Sequence, residues 1–362
     1  MLSIGKLALG QQRYYEQQVA QGGDDYYSGR GEAPGEWTGA GAEKLGLAGE
    51  VSAAQFNALL EGRDPRAPGT RLRAGISEPT IAAFDLTFSA PKSVSVLLAV
   101  APAEVSGALV EAHEEAVRAA LGYLEETAVF VRRGQGGARF EHAGGLIAAA
   151  YRHRMSRALD PQLHTHVVAA NLARGEDGRY TALHHPSLYR AARTAGYLYQ
   201  SHLRSLVRDR LGLEWGPSHK GAAELAEVPT EVLRVFSQRR AQVEAAVAER
   251  EAELGRPSTR AEREAWGAIA TRDRKQYGID THSWREEITA RAAEHGLDRE
   301  LVEAIVAAGL EQRHRGALIG DGTLEQDSAR VGESELAEML TGPTGQARSC
   351  ASSRRPRRRA CG

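Results

Sequence analysis

Three histidines in the middle of the chain have a spacing that suits metal binding. His164 and His166 lie two positions apart in an apolar segment, so on a β-strand their imidazoles project from the same face. His153 lies in the preceding strand-like segment, and a hairpin that turns around residues 158–162 pairs positions whose numbers add up to roughly 317 to 319. That register sets His153 opposite His164 to His166. We therefore predict a metal site with further positions open for water or a phosphate oxygen.

Two tyrosine pairs near the amino terminus are candidate nucleophiles. Tyr14 and Tyr15 form the first pair, and Tyr26 and Tyr27 follow two aspartates. With an ordinary pKa of about 10, a tyrosine needs a base or a metal-polarised electrophile before it attacks. Asp85, in a separate strand-like segment, is a candidate base. Tyr14, Asp85 and the metal site together would supply nucleophile, base and Lewis acid for attack of a phenolate on a metal-bound phosphodiester.

Patterns of strands and helices surround these residues. Residues 84–89 alternate with a period of two, which predicts a strand, and an apolar helical run starts directly after them. Residues 110–126 carry apolar side chains three and four positions apart, as in an amphipathic helix. Further predicted elements are a strand, a helix and a flexible loop within residues 1–35, a hairpin of strands 129–133 and 139–142, strands 145–154, 163–173 and 180–183, and a helix over 188–211.

Charged helical sequence follows residue 240, with breaks at residues 255–258 and near Gly278. We therefore divide the chain into a catalytic region, residues 1–240, and a helical extension, residues 241–340. Residues 341–362 lack apolar periodicity and are predicted to be disordered. Two interpretations of this basic tail stay open: a nucleic-acid arm, and a truncated or out-of-frame end.

Composition excludes several classes of protein. Among 362 residues the only cysteines are Cys350 and Cys361, which excludes a disulfide framework, a cysteine-ligated zinc and a catalytic thiol in the body of the chain. No apolar stretch approaches about 18 residues, so we expect a cytoplasmic protein without membrane insertion. Six of the 46 basic residues are arginines after residue 338, which leaves 40 against 47 acidic residues before it. Net charge therefore gives no indication of a nucleic-acid partner.

Three segments of the chain resemble the relaxase domain of the conjugative MobF family (TrwC and TraI type), a group of HUH endonucleases. They are FDLTFSAPKSVS (Phe84–Ser95), YRHRMSRALDPQLHTH (Tyr151–His166) and the tyrosine pairs YY and DDYY between Tyr14 and Tyr27. The similarity runs from Met1 to about Leu340. The segment that ends in DPQLHTH is highly specific, whereas the tyrosine pairs alone are not.

The resemblance implies a metal-dependent DNA endonuclease and strand transferase that is specific for one site and one strand. Such enzymes nick single-stranded DNA at a plasmid transfer origin through a covalent 5′-phosphotyrosyl intermediate and thereby initiate conjugative transfer. The implied fold is α+β: a two-layer palm with a central antiparallel sheet covered by helices, followed by a fingers-like helical segment. The implied site residues are the metal ligands His153, His164 and His166, the nucleophiles Tyr14 and Tyr26, and the active-site aspartate Asp85.

The implied partners are single-stranded and hairpin DNA at the transfer origin, relaxosome accessory proteins and a coupling protein. DNA binding of this kind needs cations for the phosphates and flat side chains for base stacking. The implied cofactor is a divalent metal; Mg²⁺, Mn²⁺ and Zn²⁺ stay open, because imidazole suits transition metals while cellular availability favours magnesium. The candidate DNA contacts are Lys92, Arg152, Arg154, Arg157, Arg190 and Arg193.

Several alternatives stay open at this point. A rolling-circle replication initiator or a single-strand transposase would use the same chemistry on a different DNA target. A three-histidine metalloenzyme acting on a small molecule, or a silent DNA-binding module with a structural zinc, would leave the tyrosines idle. Tyr15 or Tyr27 could replace Tyr14 or Tyr26. The G-x-x-x-x-G-K-[ST] loop of the helicase part is absent, so we expect the relaxase part only, without ATP hydrolysis.

Overall fold

The computed structural model divides the chain after Gly316. The first unit runs from Met1 to Gly316, and of the second unit, which begins at Ala317, the structure describes only the last residues of a helix, up to Ile319. Within the described residues, no helix combines the length and the apolar character needed to cross a membrane. The structure describes residues 1–8, 35–73, 80–156, 158–259, 262–263, 266 and 280–319.

The described chain contains both strands and helices, and its central strands pair antiparallel, as expected for an α+β protein. The strands are β1 (Leu2–Leu7), β2 (Glu36–Thr38), β3 (Arg63–Asp64), β4 (Ala67–Arg71), β5 (Ala83–Ser89), β6 (Phe130–Arg133), β7 (Arg139–His142), β8 (Ala148–Met155), β9 (Pro161–Ala170), β10 (Ala173–Arg174) and β11 (Tyr180–Thr181). The helices are α1 (Ala40–Lys44), α2 (Ala53–Leu60), α3 (Lys92–Val100), α4 (Ala103–Ala128), α5 (His185–Leu211), α6 (Thr230–Val235), α7 (Gln238–Leu254), α8 (Thr281–Ala293) and α9 (Arg299–Ile319).

The central sheet has five antiparallel strands in the order β1-β5-β9-β8-β2. Its two longest strands, β8 and β9, are consecutive in sequence and form a hairpin with a short turn, so their pairing is local. By contrast, β5 pairs with β9 across a separation of about 80 residues. The predicted antiparallel sheet is therefore present, with the β8–β9 hairpin inside it.

Side-chain alternation divides the strand residues between two faces of this sheet. One face carries apolar residues such as Phe84, Leu86 and Val167, which pack against buried residues of α4 and α5 in the main core. The other face packs at one end against a smaller cluster built around α1 and α2, which includes Phe56 and Tyr151. Toward the turn between β8 and β9, this second face carries the histidines.

Most predicted elements around the site are confirmed, with shifted ends. The strand at 84–89 and the hairpin at 129–142 agree within one residue, and β1 is the predicted first strand. The helix predicted at 110–126 starts earlier, at Ala103, directly after a proline at the N-cap. The strand predicted at 163–173 instead covers Pro161–Ala170, because Leu172 N–H bonds back to the Ala170 carbonyl at 2.7 Å in a tight turn.

The small elements between residues 36 and 71 were not predicted. One of them, α2, carries a local signal: Ser52 Oγ accepts the backbone N–H of Gln55 at 3.2 Å, which forms half of a capping box. The domain boundary at residue 240 stays a prediction, and that residue lies within α7. Helix α7 ends at Leu254 and is followed by Gly255, with φ of 64°, where a break was predicted. The predicted break near Gly278, the amino-terminal helix and loop, and the tail 341–362 lie outside the described residues.

The turn between β8 and β9 is held by the carboxylate of Asp160, which is 1% exposed. This carboxylate accepts the backbone N–H of Gln238 at 2.8 Å and the side-chain amide of the same residue at 3.0 Å, and lies 3.5 Å from the Arg291 guanidinium. Trp284 Nε1 donates to the Leu159 carbonyl at 2.8 Å. Helices α7 and α8 therefore fix the turn that joins the two histidine strands.

We expect Asp160→Ala to lower the free energy of unfolding by about 2–4 kcal/mol, since it removes a buried carboxylate that is hydrogen-bonded to Gln238 and faces the Arg291 guanidinium. Urea unfolding followed by circular dichroism measures this loss. Asp298→Ala is the matched control, because Asp298 is exposed and only accepts the Leu301 N–H at 2.9 Å as a helix cap; about 1 kcal/mol is expected there. Equal losses in the two variants would contradict an anchoring role for Asp160.

Candidate metal centre

The register of the β8–β9 hairpin brings the three predicted histidines together. His153 lies directly opposite His164, and Tyr151 lies opposite His166, so both pairs of numbers add up to 317 as predicted. The three imidazole centroids are mutually 5.0 Å apart. His153 is buried, while His164 and His166 are half-buried. The rings form a compact triangle on one face of the sheet.

The ring nitrogens have separations that fit a shared divalent ion. One nitrogen of each ring lies within 4.8 Å of those of the other two, and His153 Nδ1 is 3.3 Å from His164 Nε2. Two nitrogens bound to one tetrahedral zinc at about 2.0–2.1 Å lie roughly 3.3–3.4 Å from each other. The three residues therefore fit a divalent metal cofactor.

Hydrogen bonds on the outer side of two rings orient their inner nitrogens. His164 Nδ1 donates to the Gln162 carbonyl at 2.8 Å. His166 Nδ1 donates to the Asp85 carboxylate, with both oxygens at 2.9 Å. A neutral imidazole carries only one N–H, so each of these rings presents its unprotonated Nε2 as a ligand atom. The tautomers thus follow from acceptors that the backbone and β5 supply.

Asp85 lies against a predicted metal ligand. It faces the histidine side of the sheet from β5, and the Thr87 hydroxyl donates to its Oδ1 at 3.1 Å. A carboxylate on the outer N–H of a metal-binding histidine fixes the ring and raises its basicity. Sequence reasoning assigned Asp85 to the tyrosine and missed Thr87 and Gln162. The alternation of β5, which puts Asp85 and Thr87 on one face, could have predicted the contact between these two residues, but not the contact of Asp85 with His166.

We expect Asp85→Asn to weaken metal binding by about 10- to 100-fold. The amide can donate a hydrogen bond to His166 and thereby favour the opposite tautomer, with the proton on the inner nitrogen. Isothermal titration of the metal-free chain with Mn²⁺ or Zn²⁺ measures the change. Asp177→Asn is a suitable control, because Asp177 is an exposed carboxylate paired with Arg133 at 2.9 Å. Wild-type affinity in Asp85→Asn would contradict this role.

Three of the predicted DNA contacts have partners within the protein. Lys92 Nζ donates to the Pro161 carbonyl at 2.8 Å, and burial lowers the pKa of this lysine. Alternation along β8 turns Arg152, which lies opposite Thr165, away from the histidine face, and the register of the ladder shifts after His153. Arg152 forms an ion pair with Glu114 of α4, and Arg154 is buried. The role of these three residues in DNA binding stays a prediction.

Two other predicted DNA contacts are exposed on α5. Arg190 Nη2 donates to Ser187 Oγ at 3.3 Å, and the Arg193 guanidinium lies 5.5 Å from the centre of the Tyr197 ring. Their role in DNA binding stays a prediction. The remaining predicted site residues, Arg157, Tyr14 and Tyr26, lie outside the described residues, together with Tyr15 and Tyr27.

Comparison with known proteins places this chain among DNA relaxases. The multifunctional conjugation protein TraI of Escherichia coli is 38% identical over 239 residues, which are 62% of this chain and 13% of that protein. The same protein from E. coli strain K12 is 36% identical over 228 residues, which are 59% of this chain and 12% of that protein. The chain therefore spans about an eighth of the length of these curated relatives.

Solved structures of the conjugative relaxase TrwC share the fold. Its metal-bound complex with oriT DNA is 32% identical, covers 82% of this chain and 99% of that chain, and has a TM-score of 0.70. Its complex with a 27-mer DNA comprising the recognition hairpin and the cleavage site is 31% identical at the same coverage, with a TM-score of 0.68. The α+β fold with its antiparallel sheet is thereby confirmed. Because the model of the TrwC relaxase family also matches residues 8–295, most of its length, the chain belongs to that family.

Proposed function

We propose that this chain nicks and rejoins one DNA strand at a plasmid transfer origin to initiate conjugative transfer. The observation that carries the proposal is the triangle of histidine rings, 5.0 Å apart, in a member of the TrwC relaxase family. TrwC itself has been solved with oriT DNA that includes the recognition hairpin and the cleavage site. Single-stranded DNA with an adjoining hairpin is therefore the proposed substrate.

The proposed nucleophile is Tyr14, with Tyr26 for the second transfer reaction. Gly5 of β1 pairs with Asp85, and Tyr14 follows Gly5 by nine positions. Nine extended residues span at most about 30 Å. The length of chain therefore allows the Tyr14 phenol to come back to the face that carries Asp85 and the histidines.

The proposed reaction is a transesterification. The tyrosine Oη forms a bond with the scissile phosphorus while the bond from phosphorus to the 3′ oxygen breaks. The phenol loses its proton and the released 3′ oxygen gains one, so the products are a 5′-phosphotyrosyl bond and a free 3′ hydroxyl. Since no water is consumed, the reaction is reversible and the 3′ hydroxyl of the same or another strand can attack the adduct.

For phosphoryl transfer, the protein must position the reacting groups and stabilise the negative charge of the transition state. His153, His164 and His166 would hold the divalent ion, which supplies positive charge beside a phosphate oxygen when bound. Asp85 and the Gln162 carbonyl keep two of the rings in the orientation that this requires. A second role of Asp85, as the group that orients or deprotonates Tyr14, stays a prediction.

The proposed DNA contacts and partners extend beyond the metal centre. Arg190 and Arg193 are exposed on one helix, which supports their proposed contact with the phosphate backbone. Relaxosome accessory proteins and a coupling protein are the proposed protein partners, and the cytoplasm is the proposed compartment.

The test is adduct formation with single-stranded oligonucleotides from the replicon that encodes the chain, each carrying a candidate hairpin. With Mn²⁺ or Mg²⁺ present, denaturing electrophoresis should show a covalent protein–DNA adduct, and peptide mapping should place it on Tyr14. Chelator should abolish the adduct, and returning the ion should restore it. Oligonucleotides with a scrambled hairpin are the control. Hydrolysed DNA without an adduct, or no reaction by a folded and metal-loaded chain, would contradict the proposal.

A further inference from the structure

A row of buried polar side chains lies behind the histidine face. His113 of α4 is fully buried, with Nε2 at 2.8 Å from Thr165 Oγ1 and Nδ1 at 2.7 Å from the Tyr199 hydroxyl of α5. Thr165 is the residue between His164 and His166, so its side chain points to the opposite face, toward the helices. This row therefore connects both covering helices to the strand position between two proposed metal ligands.

The row is polar where its surroundings are apolar. On the same face of β9, the neighbouring side chains are Leu163 and Val167, which belong to the main core. Burying polar groups is unfavourable unless they are hydrogen-bonded, and here both ring nitrogens of His113 have a hydroxyl partner. Burial lowers the pKa of His113 to about 3, so the ring is neutral at physiological pH, with one donor and one acceptor. The row is thus a matched set of directional contacts inside the core.

Glu114, the residue after His113 in α4, contacts the neighbouring strand β8 beside Thr165. Glu114 forms an ion pair with Arg152, and Arg152 lies directly opposite Thr165 in the β8–β9 ladder. Arg152 also precedes His153 in β8. Two consecutive residues of one helix therefore contact two directly paired strand residues, each of them adjacent to a proposed metal ligand.

We propose that His113 and Thr165 are positioning residues for the metal centre. Their hydrogen bond fixes β9 relative to the helix layer, and thereby fixes the distance of the His164 and His166 nitrogens from those of His153. Ligand sets work only when held to within about 0.5 Å of the required geometry, and a directional contact specifies a position more sharply than apolar packing does. The inference rests on the proposed function only in that the histidines bind a divalent ion.

The test compares Thr165→Val, which removes the hydroxyl at nearly constant volume, with Thr165→Ser, which keeps it. Titration of the metal-free chain with Mn²⁺ should show binding weakened by about 10-fold or more in Thr165→Val and by less than about threefold in Thr165→Ser. The absorption spectrum of the Co²⁺-loaded chain should change in Thr165→Val, since it reports ligand geometry directly. Urea unfolding in the presence of chelator gives the stability of each variant separately.

Ser106→Ala is the matched control for loss of a buried hydroxyl. Ser106 lies on the same helix and donates to the Leu98 and Ala101 carbonyls at 2.9 and 3.2 Å, so its loss should reduce stability without weakening Mn²⁺ binding. Should Thr165→Val fail to fold, Tyr199→Phe removes only the far hydroxyl of the row and should weaken Mn²⁺ binding by about threefold, which is a smaller effect than the loss of a direct contact.

The outcomes separate this inference from the proposed function. Wild-type Mn²⁺ affinity in a folded Thr165→Val chain, or in Tyr199→Phe if that variant has to be used, would overturn the inference alone. Equal weakening in Ser106→Ala would also overturn it, because the effect would then follow general stability. Absence of metal binding by the unchanged chain would overturn the inference and the proposed function together.

Discussion

Replacing Tyr14 with phenylalanine should abolish nicking while DNA binding stays unchanged. Phenylalanine keeps the aromatic ring but lacks the oxygen that forms the bond to phosphorus, so the covalent step has no nucleophile. Loss of a nucleophile lowers rates by about 10⁴-fold or more. Initial rates of adduct formation on denaturing gels, together with fluorescence anisotropy of a labelled hairpin oligonucleotide, measure the two properties separately.

The neighbouring tyrosines are the controls for this prediction. Tyr15→Phe makes the same chemical change one position away and should keep the wild-type nicking rate. Tyr26→Phe should keep the first cleavage and lose the second strand transfer. If Tyr14→Phe still forms an adduct and Tyr15→Phe or Tyr26→Phe does not, the nucleophile is wrongly assigned.

The second large effect is expected from His164→Ala, which should lose both bound metal and nicking. This substitution removes the Nε2 that lies 3.3 Å from His153 Nδ1 and leaves two rings of the triangle. Loss of a direct ligand should exceed the roughly 100-fold upper effect of losing an outer hydrogen-bond partner. Elemental analysis of the purified chain and titration with Mn²⁺ measure metal binding, and the adduct assay measures nicking.

His142→Ala is the matched control for the loss of a histidine. His142 is exposed on β7, where its Nε2 contacts the Glu125 and Glu126 carbonyls at 2.9 and 3.0 Å. The His142→Ala variant should keep the metal content and the nicking activity of the unchanged chain. Unchanged metal content in His164→Ala would remove His164 from the ligand set.

The histidine triangle was predictable because its geometry is local. A short turn permits few registers, and alternation by two then decides which side chains share a face, so His153 and His164 could be paired from their numbers alone. The contact between Asp85 and His166 was not predictable in this way. It depends on the pairing of β5 with β9, which lies about 80 residues apart in sequence and is decided by tertiary packing.

The arginine that precedes His153 shows what the alternation of a strand decides without any tertiary information. Because His153 faces the site, Arg152, which precedes it in β8 and lies opposite Thr165, faces the other way. The proximity of Arg152 to His153 in sequence therefore does not place the two side chains on the same surface, and a role of Arg152 in DNA binding stays a prediction. His113 was missed for a different reason, since nothing in the helical pattern of α4 distinguishes a histidine that contacts a strand from one that only fills the core.

The placement of all three proposed ligands within one hairpin has a consequence for folding. An ion that joins His153 to His164 and His166 closes a loop of only about a dozen residues, and that loop is already closed by the β8–β9 ladder. The ion therefore reduces the entropy of the unfolded chain only slightly, whereas a metal that joins distant segments would reduce it more. Most of the stability of the fold should therefore be independent of the ion. A chelator should then remove the nicking activity while the chain stays folded.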